Sequence, residues 1–261
     1  FCILQSLTMN NTHENTWLII SPDADIISKA IAAHNQLDCN LHVRLPSSGA
    51  APDIVFNIAE LCKGICRTFN GITYPLETFI VLLLDQGYSD FTSGWYGCGF
   101  RTAMRAYNSA PNHDLVKPEI SAPVTPEMLQ QLQWPEDLPI PSLCELKKAI
   151  FRRAILSNPS LQEKGHVCYD ELVPELFTTK ENARHSFPSQ AGLEAHFLRI
   201  VAAYYHIMSI RNQFPQGDAV LTFGFIKIDQ NRPVSVENCR FQFNVLESNK
   251  KVTEQCKSLT K

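Results

Sequence analysis

No apolar run in this 261-residue chain reaches the roughly 18 residues that a membrane-spanning helix needs. The longest, Phe79 to Leu84, stops at Asp85 and reads as part of a buried helix. Basic residues are not in excess either. Twenty-three Lys and Arg stand against 26 Asp and Glu, for a formal net charge of −3, and they form no dense cluster. The chain therefore carries no nucleic-acid footprint. Its one basic-rich helix, with Lys147, Lys148, Arg152 and Arg153, reads as a solvated face. Also missing are a glycine-rich phosphate loop with its lysine, Gly-x-Gly-x-x-Gly, His-Glu-x-x-His and Gly-x-Ser-x-Gly, and there is no internal repeat. A nucleotide-dependent ligase is rejected on that ground. No cofactor is implied.

What the chain does have is apolar mass. At 44% hydrophobic, 10% aromatic and 19% charged residues, it can bury a core and does not read as disordered. Its nine cysteines are odd in number, scattered and mostly set among apolar neighbours. That pattern points to free thiols in a reducing, cytoplasmic compartment rather than a disulfide framework. Cys62 and Cys66 share a helical face, but no second pair follows at zinc-site spacing, so core cysteines are expected and no metal. Because the chain opens on Phe1 rather than Met, a fragment or processed chain is expected.

Periodicity predicts an α/β or α+β fold: a sheet with flanking helices, a helical middle segment and a C-terminal β-hairpin. Strands are expected at 17–20, 40–45 and 53–58, with a helix over about 24–33 that Ser21-Pro22-Asp23 would start. Further helices are expected over about 75–84, from Cys98 to about Asn108, from Thr125-Pro126-Glu127, from the Ser142–Glu145 capping box to about Leu156, and over 190–212. Alternation at 219–228 and 234–245 reads as the hairpin. The organisation follows as a lobe over 1–111 carrying the Cys98 segment, a proline-rich connection over 112–141, and a helical and hairpin segment over 142–261, together one compact unit.

The most informative stretch is Ser93-Gly94-Trp95-Tyr96-Gly97-Cys98-Gly99-Phe100-Arg101. A cysteine between glycines at a helix start meets unsatisfied N–H groups and the positive end of the helix dipole, which favour thiolate. Gly97 and Gly99 would let a substrate backbone approach the sulfur. This segment resembles the nucleophile region of papain-like cysteine peptidases, most closely those acting on ubiquitin or ubiquitin-like modifiers. Cys98, Phe100 and Arg101 match their Cys-x-aromatic-Arg, and Gly94-Trp95 matches a Gly-Trp that precedes the cysteine. The resemblance spans about a dozen residues. It implies a protein or peptide substrate, ubiquitin-like modifiers among them, whose tail would meet Trp95, Tyr96, Gly97, Gly99 and Arg101.

A thiol nucleophile needs a base and a group to orient it. The expected C-terminal hairpin has no histidine, so the candidates are His42 and His166, with Asp90 or Gln86 in support and Asp85 nearby in the same loop. His113 is close to Cys98 in sequence but loop-borne. His196 and His206, ten apart on the long helix, share no face and read as structural. The leading expectation is a thiol-dependent hydrolase or acyl-transfer enzyme acting on a peptide, isopeptide or glutamine amide. Its rival is a non-enzymatic interaction domain using the aromatic loop 88–96 with Arg101 and Arg105, in which Cys98 is a buried thiol. Sequence leaves both open, and leaves the oligomeric state open too.

Overall fold

A computed structural model describes residues 16–34, 40–47, 52–89, 92, 100–108, 114–117, 124–143, 146, 190–209, 222–229 and 232–235. Its α/β content begins with a β-α-β unit of β1 (Thr16–Ile20), α1 (Ile26–His34) and β2 (Asn40–Leu45). β1 and β2 pair in parallel, from Thr16 opposite Asn40 to Ile20 opposite Arg44. β3 (Ile54–Asn57) returns antiparallel to β2, with His42 opposite Asn57 and Leu45 opposite Ile54. Side chains alternate across a strand. Leu41 and Val43 are buried under the helices, while His42 and Arg44 lie half-buried on the opposite face. There Arg44 pairs with Asp53, and Leu18, Ile20 and Val55 are exposed.

Local chemistry sets the helix boundaries. Ser21-Pro22-Asp23 forms a turn, with Asp25 N–H donating to Asp23 Oδ1 at 3.0 Å, and α1 begins only at Ile26. Asn57 ends β3 and caps α2 (Ile58–Thr68), its Oδ1 accepting the Glu60 N–H at 3.1 Å. That cap is why Ile58 opens a helix rather than closing the expected strand. Along α2 the residues Ile58, Cys62 and Ile65 form a buried stripe at helical spacing, continued by Phe69. Helix α3 (Pro75–Asp85) starts on its proline, and α4 spans Phe100–Asn108. α5 (Pro126–Leu132) is capped by Thr125, whose hydroxyl accepts the Met128 N–H.

Short strands β4 (Val116–Lys117) and β5 (Ile140–Pro141) pair antiparallel. Within the stretch read as a connection, Leu115 and Val116 join the main core, and Val124 and Leu132 pack with Val201, Tyr205 and Phe223. The long helix α6 (Gln190–Met208) packs along α1 and α3, with Leu193, Phe197, Ile200 and Tyr204 at most 1% exposed. β6 (Phe225–Asp229) and β7 (Arg232–Ser235) pair antiparallel after a helical turn at Thr222–Phe223. Of the helix expected from the Ser142 box, Leu143 and Leu146 are helical, and most of the remainder lies outside the described residues.

Burial in α6 has a pH consequence. The imidazole of His206 is pushed down to about 4, chiefly by burial and secondarily by Lys29. The unfolded chain binds its proton near pH 6.5 while the fold does not, so stability is full above 6.5 and is lost as pH falls toward 4. Discounted for partial exposure, the loss is on the order of 1–2 kcal/mol. Urea unfolding at pH 7 and 4.5 should show His206→Gln losing less stability over that interval than the parent chain.

Candidate active site

The described part of the site is built where α3 ends. Gly87 takes φ +78, the left-handed conformation that glycine adopts without a Cβ penalty. Its N–H donates to Leu84 O at 3.0 Å, and Tyr88 N–H donates to Leu83 O at 3.1 Å. This pair of bonds is a Schellman cap, and it turns the chain sharply off the helix. Further along, the buried Thr92 hydroxyl donates to Leu84 O at 2.6 Å, folding the loop back onto the helix end.

That turn fixes Asp85 and Gln86 in the interior, at 2% and 7% exposure. A carboxylate at a helix C-terminus is opposed by the dipole, and burial adds a desolvation cost. Asp85 is held there by partners. Gln86 Nε2 donates to its Oδ2 at 2.6 Å, and Nε2 of His196 lies 3.4 Å from its Oδ1. The carboxylate also fixes the Gln86 amide orientation, because a flipped amide would set oxygen against oxygen. His196 is 3% exposed on α6, in the stripe with Leu193 and Ile200 that faces α3. The three side chains form one buried polar cluster where α3 meets α6.

At the start of α4, Phe100 meets Phe79 edge-on at 5.3 Å and Tyr88 at 6.0 Å between ring centroids. Tyr88 is 45% exposed, and Arg101 is exposed in the first turn of α4. α4 therefore begins against α3, two residues beyond Cys98.

The sequence-expected residues separate as follows. Gln86 lies in the cluster. His42 lies on the sheet face turned away from α3 and α6, so the structure does not bring it to Gln86. Cys98, His166, Asp90, Trp95, Tyr96, Gly97 and Gly99 lie outside the described residues, as does His113. His196, read from the sequence as structural, is the further polar residue that the structure sets beside Asp85 and Gln86. Its signal was a polar side chain within an apolar helical stripe, matched by an aspartate at a helix end that disfavours it.

Among the described residues no group of His, Cys, Asp and Glu is arranged to hold a metal ion, and Cys62 and Cys66 are free thiols. No described helix is long and apolar enough to cross a membrane. No family model matches the chain, and no curated protein or solved structure matches it significantly.

Proposed function

We propose that the protein is a thiol-dependent hydrolase or acyl-transfer enzyme in which Cys98 is the nucleophile and His196 its base. The observation that supports this reading is the buried Asp85–His196 pair, 3.4 Å apart, whose aspartate precedes Cys98 in the chain. Asp85 orients the imidazole through Nε2, and Gln86 holds Asp85, so proton exchange with the thiol runs through Nδ1. The Cys98 thiol passes its proton to Nδ1, and the thiolate adds to the carbonyl carbon of a peptide, isopeptide or glutamine amide. The Cys98 backbone N–H holds the oxyanion. His196 then returns the proton to the leaving amine, and water or an amine resolves the thioester. A ubiquitin-like tail is the substrate that the sequence resemblance suggests. In this reading the sheet with flanking helices continues through a helical middle segment to a C-terminal β-hairpin, in a cytoplasmic chain.

A second reading is favoured by the exposed Tyr88 and Arg101, which suit a protein-interaction loop over 88–96. Asp85 and His196 would then only fill the core. Iodoacetamide alkylation of each cysteine across pH, resolved by peptide mass spectrometry, separates the two. The enzyme reading expects Cys98 to titrate well below ~8.5 and His196→Gln to abolish that advantage. Labelling of Cys98 no faster than Cys256 would sink it and leave the interaction domain.

A further inference from the structure

Of the five large apolar or aromatic side chains that the described surface leaves exposed, four lie on the β1–β2–β3 sheet, and Tyr88 alone lies elsewhere. Apolar residues scattered singly over a surface need no explanation, but a cluster on one element does. Helices α1 and α2 pack on the inner face of the sheet, over Leu41 and Val43. On the outer face Ile20, Arg44 and Val55 form one row across the strands, and Leu18, His42 and Asn57 form the next. Leu18, Ile20 and Val55 are 53%, 58% and 56% exposed there. A parallel pair such as β1–β2 ordinarily has both of its faces covered.

The edge beside that face is undefended. β1 ends the sheet, and among the described residues it pairs with β2 alone. Thr16-Trp17-Leu18-Ile19-Ile20 holds no charge, proline or glycine, and its ladder is regular, so the usual devices against edge-to-edge pairing are missing. The opposite edge differs, since Pro52 and Asp53 lead into β3. Charge decides what kind of strand suits β1. Arg44 Nε donates to Asp53 Oδ2 at 2.8 Å and Ser47 N–H to Asp53 Oδ1 at 2.9 Å, so the two ions satisfy each other. An acidic or basic segment would find no counter-charge along β1. A neutral apolar strand meets no repulsion there, and β1 is itself such a strand.

We propose that β1 is a self-association edge, on which β1 of a second copy of this chain pairs antiparallel about a two-fold axis through Leu18. In that register Leu18 faces its own copy, Thr16 faces Ile20, and Trp17 faces Ile19. The exposed Leu18 and Ile20 each gain a cross-strand neighbour, and the half-buried Trp17 gains a β-branched one. The two three-stranded sheets join into one. Area limits the strength of this contact. The exposed parts of Leu18, Ile20 and Val55 offer about 300 Å² per copy, well under the ~800 Å² per partner of a stable interface. The dimer is therefore weak and concentration-dependent, with a Kd on the order of 100 µM. Asp85, Cys98 and His196 take no part in it, so it stands apart from the proposed catalytic reading.

Sedimentation velocity of the full chain, over a concentration series spanning that Kd, tests this. The parent chain should pass from monomer to dimer, and the outward-facing amides of β1 should exchange more slowly as concentration rises. Leu18→Lys and Leu18→Glu each set like charges directly opposite one another at the axis, and each should weaken association about tenfold or more. Leu18 is more than half exposed, so both variants should keep the parent's urea midpoint. An equimolar mixture of the two should dimerise again as a mixed pair, a rescue that only a two-fold contact at Leu18 gives. A parent chain that stays monomeric throughout would overturn the proposal and leave the face to a different partner. Dimerisation that ignores both substitutions would overturn it by placing the contact on another surface. A mixture that stays monomeric would overturn it as well.

Discussion

Asp85→Ala is expected to destabilise the protein by about 3–5 kcal/mol, among the largest losses available to a single side chain in this fold. Removing the carboxylate strands two buried partners at once, the Gln86 amide at 2.6 Å and the His196 imidazole at 3.4 Å. Gln86 is already short of one contact, since its Oε1 is buried without a hydrogen-bond partner. The loss measures the burial of unpaired groups, not the worth of the pair. Asp85→Leu with His196→Leu removes both polar ends and should recover a substantial part of it, because an apolar replacement of a buried pair is often nearly neutral. Urea unfolding of the two single variants and the double variant supplies the cycle. A double variant as unstable as the sum of the singles would mean that the two side chains do not interact. Asp85→Asn sharpens the functional question. It keeps the shape and an acceptor for His196, so a loss of Cys98 alkylation rate larger than its loss of stability would mark Asp85 as orienting a working base.

How much of this was legible in the sequence depends on the range of the signal. The strand over 40–45 and the helix from Pro75 could be read from alternation, a leading proline and an unbroken apolar run, all local features. The helix was read as ending near Leu84, yet the Gly87 cap that closes it and its consequence for Gln86 were not legible. The end of β3 was misread by one residue because Ile58 suits a strand, while the Asn57 cap that starts α2 prevails. The Asp85–His196 pair lies 111 residues apart in the chain, and no local pattern announces it. His196 looked like a core histidine because its neighbours Leu193, Phe197 and Ile200 are core residues. His42, named as a candidate base, alternates with Leu41 and Val43, and the pleat sets it half-buried on the opposite face of the sheet. Nothing short of the packing of α6 on α3 tells these two histidines apart.

The same helix makes a second large effect predictable at a residue with no side chain. Gly224 takes φ +78 in the turn before β6, a conformation costly for any residue with a Cβ. A Cβ built there would stand 2.6 Å from the backbone oxygen of Ala195, with the Ala195 Cα and carbonyl carbon at 3.1 Å. Backbone in the middle of a packed helix has little room to yield, so the turn would have to lift off α6. The carbonyl oxygen of Gly224 accepts Arg199 Nη1 at 2.9 Å, and Arg199 is fully buried. Lifting the turn therefore pulls a hydrogen bond from a buried guanidinium and disturbs Phe223, itself 0% exposed against Tyr205 and Leu132. Gly224→Ala is expected to lose about 2–4 kcal/mol, from positive φ, backbone overlap and the weakened charged hydrogen bond together. Thermal and urea unfolding read the loss. Arg199→Met, which keeps apolar bulk but makes no bond to Gly224, isolates the last part, and in that background Gly224→Ala should cost less. Equal costs in both backgrounds would show the turn anchored by close packing alone, with Arg199 held by its other contacts.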